Sequence, residues 1–261
     1  MRFRPCIDLH HGRVKQIVGN SLDDANAAGL RTNFETDRPA ESFAALYRGD
    51  NLTGGHIIQL GPGNAAAARA ALAAWPGGMQ LGGSVTIDNA QEWLEAGAQA
   101  VIVTSWVFHH GTVDEERLTA LVRRIGRERL VLDLSCRRKE AKYYIVTDRW
   151  QRFTQERVEP RLLDRLSNYC SEYLIHAVDV EGLCRGVEVE LLELLGRWEG
   201  IPITYAGGIH NTQDLELIDS LGRGRIDFTV GSALDIFGGS GLQYDDLARR
   251  YGPSAVALKK V

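Results

Sequence analysis

The chain has 261 residues, 44% of them hydrophobic and 25% charged, with a formal net charge of −4. That composition fits a globular chain with a sizeable core and excludes the strongly basic nucleic-acid binders and the disordered class. No apolar run reaches membrane-spanning length and the N-terminus lacks a signal-peptide pattern; the four cysteines form no C-x-x-C pair, which argues for reduced cytoplasmic thiols and against a metal site.

Residues 2–8 read as a first strand, a mostly apolar stretch that ends in the carboxylate of Asp8. His10-His11-Gly12 makes a turn, and residues 14–18 alternate back as a short extension. Residues 19–39 are polar, and a structureless stretch of that length in a compact domain often serves as a lid. A helix over 40–47, a second strand over 56–60 and an alanine-rich helix over 65–75 follow, the last stopped by Pro76-Gly77-Gly78. The third strand is 79–81, then a helix over 88–96, the fourth strand over 100–103 and a helix over 113–125.

The fifth strand, 130–133, ends in Asp133. Residues 135–160 then interrupt the alternation, and two β-rich runs, 143–147 and 150–154, predict a hairpin turning at Asp148-Arg149. Helices are expected over 161–169, 187–198 and 214–221, with strands over 173–178, 201–205 and 226–230. A short helical turn at 231–237 and a last helix at 244–251 complete the chain. Strands alternating with helices throughout predict an α/β fold, and eight of each over ~250 residues predict a single (β/α)8 TIM barrel spanning 1–261.

Landmarks recur at one interval. Asp8 and Asp133 are 125 residues apart, as are Gly82-Gly83 and Gly207-Gly208, and as are Gly97 and Gly222. The repetition points to two duplicated half-barrels, roughly 1–125 and 126–261. A barrel carries its chemistry at the C-terminal ends of its strands, so Asp8 and Asp133 face each other across the mouth, an arrangement suited to general acid/base catalysis. Gly207, Gly208, Gly231 and Ser232 lie after the seventh and eighth strands, where such barrels often hold a phosphate. The first half offers Gly82, Gly83, Thr104 and Ser105 in the matching places. Two phosphate sites with two carboxylates between them predict a long small-molecule ligand with a phosphate at each end. His176 and Glu181 at the sixth strand, with Asp179, are further candidates, as are His56 and Lys15. Trp150 in the hairpin is placed either to stack on an aromatic ligand or to cover apolar hairpin surface. No helix is apolar all round, and a monomer is expected.

Several stretches together carry a resemblance: Pro5-Cys6-Ile7-Asp8-Leu9, Gly12-x-Val14-Lys15-Gln16-Ile17-Val18-Gly19, Val131-Leu132-Asp133-Leu134-Ser135-Cys136-Arg137, Asp179-Val180-Glu181-Gly182-Leu183-Cys184, Tyr205-Ala206-Gly207-Gly208, and Gly231-Ser232-Ala233-Leu234-Asp235-Ile236-Phe237-Gly238-Gly239. Over nearly the whole chain they resemble the phosphoribosylformimino-aminoimidazole carboxamide ribotide isomerases of histidine biosynthesis, in their fungal and plant form. The resemblance implies a duplicated half-barrel, a substrate with two phosphates, an Amadori rearrangement of an aminoaldose to an aminoketose, and neither cofactor nor metal. It assigns Asp8 as base, Asp133 or Glu181 as acid, Trp150 as the stacking residue, and Gly19 to substrate binding. The chain departs from the common bacterial pattern at His176 (a threonine there), Glu181 (an aspartate), Gln16 (an arginine) and around Gln59-Leu60-Gly61 (an aspartate). Those departures speak against a second substrate, phosphoribosylanthranilate. The sister barrel that cyclises the isomerase product, imidazole glycerol phosphate synthase, shares both aspartates. The 134–137 run, the Trp150 hairpin and Asp235-Ile236-Phe237 favour the isomerase.

Overall fold

The computed structural model describes residues 1–18, 21 and 31–253. Eight barrel strands run in chain order: β1 (Cys6–His10), β2 (Gly55–Gln59), β3 (Met79–Gly82), β4 (Val101–Val103), β5 (Leu130–Asp133), β6 (Glu172–His176), β7 (Ile203–Ala206) and β8 (Ile226–Phe228). Each pairs in parallel with the next. A parallel bridge from Phe3 to Phe228 brings the chain start onto β8, where the Arg4 N–H donates to the Phe228 carbonyl at 2.8 Å. That contact joins the last strand to the first and closes the barrel. The helices are α1 (Ala40–Gly49), α2 (Ala65–Ala74), α3 (Ala90–Glu95), α4 (Glu115–Ile125), α5 (Pro160–Leu166), α6 (Val189–Arg197), α7 (Thr212–Leu221) and α8 (Tyr244–Tyr251). No described helix is long and apolar enough to cross a membrane.

The two-residue side-chain period of a strand builds two cores from one sequence pattern. Ile7, Leu9, Ile57, Leu81, Val101, Val103, Leu130, Leu132, Tyr173 and Ile175 belong to the large outer cluster, packed under the helices. The alternate residues Ile58, Ile102, Val131, Leu174 and Ala206 form a small cluster inside the barrel. Asp133 lies two residues beyond Val131, and His176 two beyond Leu174, so parity carries both into the barrel mouth. Asp8, flanked by the outward Ile7 and Leu9, follows the same rule.

The additions to the barrel differ from the sequence reading in three places. The polar 19–39 stretch is not structureless where it is described: Thr32–Thr36 is a strand, antiparallel to Arg13–Ile17. Asn33 reaches from it to the Gly182 carbonyl and to Ser232 Oγ, both at 2.8 Å, spanning the loops after β6 and β8. The insertion after β5 has three strands, Cys136–Lys139, Lys142–Thr147 and Arg152–Arg157, rather than two. Its first strand is pinned by Asp179, which accepts from Arg137 Nε at 2.8 Å and from the Arg138 N–H at 2.7 Å. The expected helical turn at 231–237 shrinks to a 3-10 turn at Asp235–Phe237, too short and too far along to set a helix dipole on Gly231.

Candidate active site

The C-terminal mouth opens into a cavity of about 940 Å³ whose walls include Asp8, Asp133, His176, Glu181 and Trp150. Asp8 keeps an edge open to it. Gln16 Nε2 donates to Asp8 Oδ2 at 2.8 Å. Burial and the charge of Glu181 push the Asp8 carboxyl up to about 7, against the opposing pull of Gln16 and His176. A carboxylate in that range can take and return a proton near neutral pH.

Asp133 is held differently. Thr104 Oγ1 donates to Oδ2 at 3.1 Å, and Ser135 Oγ donates to Oδ1 at 2.7 Å. Burial raises its carboxyl, while His176 and the two hydroxyls act the other way. His176 Nε2 lies 3.0 Å from Glu181 Oε2, an ion-pair distance in a direction that misses hydrogen-bond geometry. Burial alone would lower the imidazole, but Glu181, Asp133 and Asp8 together raise it, so the ring tends toward the cation among three carboxylates. His56, buried deeper in β2, is pushed down to about 3 by burial and by His176 and stays neutral.

The glycine-rich loops supply the remaining wall. Gly83, Gly207 and Gly231 line the large cavity. A small pocket of about 20 Å³ beside it is bounded by Gly207, Gly208, Gly231, Ser232 and Glu181. Gly207 has φ +115 and lies so near the Ala177 carbonyl that a Cβ would sit 2.6 Å from its oxygen. At Gly231 a Cβ would meet Gln16 Oε1 at 2.2 Å, so the loop after β8 touches the side chain that orients Asp8. Gly82 stays inside β3 and does not line the cavity. Thr104 and Ser105 do line it, but in this structure their hydroxyls serve protein groups: Thr104 holds Asp133, and Ser105 Oγ accepts from the Asp148 N–H at 2.8 Å. Gly19 lies outside the described residues. Lys15 is paired with Glu35 at 3.0 Å. Among the described residues no group of three His, Cys, Asp or Glu is set to hold a metal ion.

Trp150 lies in the hairpin turn, not in the strand expected over 150–154, because Asp148, Arg149 and Trp150 are all left-handed, with φ of 52, 55 and 68. Its ring meets His176 edge-on with centroids 4.9 Å apart, and its Nε1–H donates to Ser135 Oγ at 3.0 Å. Two residues of the site were missed as functional. Gln16 carried a signal, a polar residue on the apolar phase of an alternating strand (Val14, Gln16, Val18). Ser135 carried only its place two residues after Asp133, on the same side of the chain.

Residues 2–238 match the model of a family described as histidine biosynthesis protein. The chain is 50% identical to a chloroplastic protein of Medicago truncatula over 99% of this chain and 84% of the relative. It is 49% identical to a Neurospora crassa protein, covering 92% and 95% respectively, and 48% identical to one from Yarrowia lipolytica, covering 94% and 96%. All three relatives bear the name 1-(5-phosphoribosyl)-5-((5-phosphoribosylamino)methylideneamino)imidazole-4-carboxamide isomerase.

Proposed function

The chain belongs to the histidine biosynthesis protein family, and from that premise we infer that it catalyses the aldose–ketose isomerisation named in its relatives, an Amadori rearrangement of the aminoaldose ribotide to the aminoketose in L-histidine biosynthesis. The observation that carries the reading is the pair Asp8 and Asp133 on opposite strands of one cavity, both carboxyls raised by burial.

The chemistry needs two proton transfers at the two atoms that flank C1, the ring oxygen and C2. An acid protonates the ribose ring oxygen, the C1–O bond breaks, and the ring opens to a protonated Schiff base. A base then removes the C2 proton, and the resulting enolamine tautomerises to the ketose. Asp8 suits the base: it has one oxygen held by Gln16 and a carboxyl that titrates near neutrality. Asp133 is the first candidate acid. Glu181, which lines the cavity beside His176, is the second. The cationic tendency of His176 offsets the crowding of three carboxylates and favours an anionic ligand in the same space. The Gly207–Gly208 and Gly231–Ser232 loops, and Gly83 with Ser84 on the other side, are the proposed phosphate cradles, one in each of two related half-barrels. Trp150 would cover the imidazole of the bound substrate.

The direct test is to incubate the protein with the aminoaldose ribotide, with no ammonia or partner protein added, and identify the product by NMR. Conversion to the aminoketose, lost in Asp8→Asn, is expected. No conversion by the wild-type protein would overturn the reading.

A further inference from the structure

Ser135 is fully buried and touches both the candidate acid and the hairpin tryptophan. Its hydroxyl donates to Asp133 Oδ1 at 2.7 Å and accepts from Trp150 Nε1–H at 3.0 Å. The serine has one hydroxyl proton, and the indole donor on the same oxygen leaves that proton directed at the carboxylate. Donation into Oγ also polarises the O–H bond, making it a stronger donor to Asp133. The three groups therefore form one directed chain from the hairpin turn to the barrel wall.

The turn that delivers Trp150 is held in place from several sides. Three successive non-glycine residues in the left-handed region are costly and persist only where the surroundings fix them. Here the Asp148 N–H is tied to Ser105 Oγ after β4, the Gln155 N–H to the Gly111 carbonyl, and the Trp150 ring to the edge of His176. The backbone of Ser135 is fixed as well, its carbonyl accepting from the Val146 N–H at 2.8 Å.

We propose that Ser135 is a positioning residue that sets the proton affinity of Asp133 from the 136–157 hairpin, through the chain Trp150 Nε1–H to Ser135 Oγ–H to Asp133 Oδ1. The proposal deepens the isomerase reading and rests on it for the acid role of Asp133. The carboxylate left after proton donation is stabilised by two hydroxyl donors, Ser135 and Thr104, and the first of these is itself strengthened by the indole. Without the indole N–H, Ser135 loses its donor and Asp133 holds its proton more tightly. The other titratable groups around Asp133 are the His176 imidazole from β6 with Glu181 behind it, Asp8 from β1, and the buried Cys136 thiol at the start of the hairpin; Arg149 lines the same cavity from the turn. None of these lies in the indole–hydroxyl chain.

The test reads the Asp133 carboxyl in the free protein by infrared titration, assigned by subtraction of Asp133→Asn. Trp150→Phe keeps the aromatic ring and removes only the N–H, and Ser135→Ala removes the relay oxygen. Both are expected to move the Asp133 midpoint to higher pH, because each weakens donation to the charged form. The double variant is expected to move it no further than Ser135→Ala alone. In turnover, Ser135→Ala is expected to lower kcat about tenfold, the scale of one hydrogen bond to a charged group, and to shift the alkaline limb of the kcat profile upward, with KM nearly unchanged. An unmoved midpoint in Trp150→Phe, or additive shifts in the double variant, would overturn the coupling. The titration needs no substrate, so it stands or falls separately from the isomerase assay: a wild-type protein that fails to convert substrate sinks the function, not the relay.

Discussion

At the N-terminal end of the barrel interior, Asp227 and Glu172 sit among Arg2, Arg4, Gln80 and Thr204; at the C-terminal end, Asp8 and Asp133 sit among Gln16, Thr104, Ser135 and His176. Both pairs are recessed, and all four side chains project inward by the same alternation, each from a different strand. Their partners differ. Asp227 pairs with Arg4 Nε at 2.9 Å and Arg2 Nη2 at 3.0 Å, and accepts the Arg2 N–H at 2.8 Å. Glu172 accepts from Gln80 at 2.9 Å and Thr204 at 2.7 Å, with Arg4 Nη2 4.0 Å away. Two permanent cations thus answer two carboxylates. At the mouth, three carboxylates, Asp8, Asp133 and Glu181, share one titratable imidazole. Burial costs a charge heavily unless it is paired. The lower network meets that cost and locks the barrel's closing seam. The mouth leaves part of it unmet, and that shortfall raises both carboxyls, Asp8 up to about 7.

The largest expected effect separates the two ends by function. Asp8→Asn removes the proposed proton acceptor with almost no change of shape. Turnover should fall by about 10³–10⁴-fold, the scale of a general base, while substrate binding measured by calorimetry persists. Parallel loss of both would make Asp8 a structural residue like Asp227. The complementary break is Arg4→Met, which strips the lower carboxylates of a shared cation. Removing one partner from a buried pair should cost about 3 kcal/mol in urea unfolding, with kcat retained at temperatures where the protein stays folded. A large loss of kcat in the folded variant would mean the two ends are not independent.

A smaller effect tests how the loop after β8 reaches the base. In Gly231→Ala the new Cβ would meet Gln16 Oε1 at 2.2 Å, and the flexible amide can swing away, so folding is expected to survive. Swinging it breaks the 2.8 Å bond to Asp8. That bond lowers the Asp8 carboxyl, so its loss should shift the acid limb of kcat/KM to higher pH, alongside a roughly tenfold rise in KM if the loop holds a phosphate. A rise in KM with an unmoved limb would uncouple the loop from the base.

The end proposed to do the chemistry was the more legible one in the sequence. Leu130-Val131-Leu132-Asp133 shows the strand and the carboxylate at its end in four residues, and Cys6-Ile7-Asp8 repeats it. The lower network was silent because Arg4 and Asp227 are 223 residues apart and meet only when the barrel closes. Trp150 was located but misplaced, since left-handed non-glycine residues leave no mark in composition. The strand Cys136–Lys139 was missed for another reason: Cys-Arg-Arg-Lys has no apolar alternation, and it is held by Asp179 from the loop after β6. The dipole expected at Gly231 failed because the residues after it turn through isolated bonds, such as Leu234 N–H to the Gly231 carbonyl, before any helix begins.

The smallest effect follows from the sign of the Asp8 shift. Its carboxyl rises from an ordinary 3.8 to about 7 on folding, so between those values the native state binds a proton that the unfolded chain does not. The stability this contributes is fully present below the lower value and is lost as pH rises through the upper one. Asn at position 8 carries no such loss. The Tm of Asp8→Asn relative to wild type should therefore climb between pH 4 and pH 7, by about 2–4 °C for a chain of this size if the mouth's open edge leaves roughly 1 kcal/mol of the shift expressed. A flat difference across that range would mean that Asp8 ionises as an ordinary surface carboxylate. The mouth would then be as well compensated as the Arg4 end, and the physical ground for placing the base there would be gone.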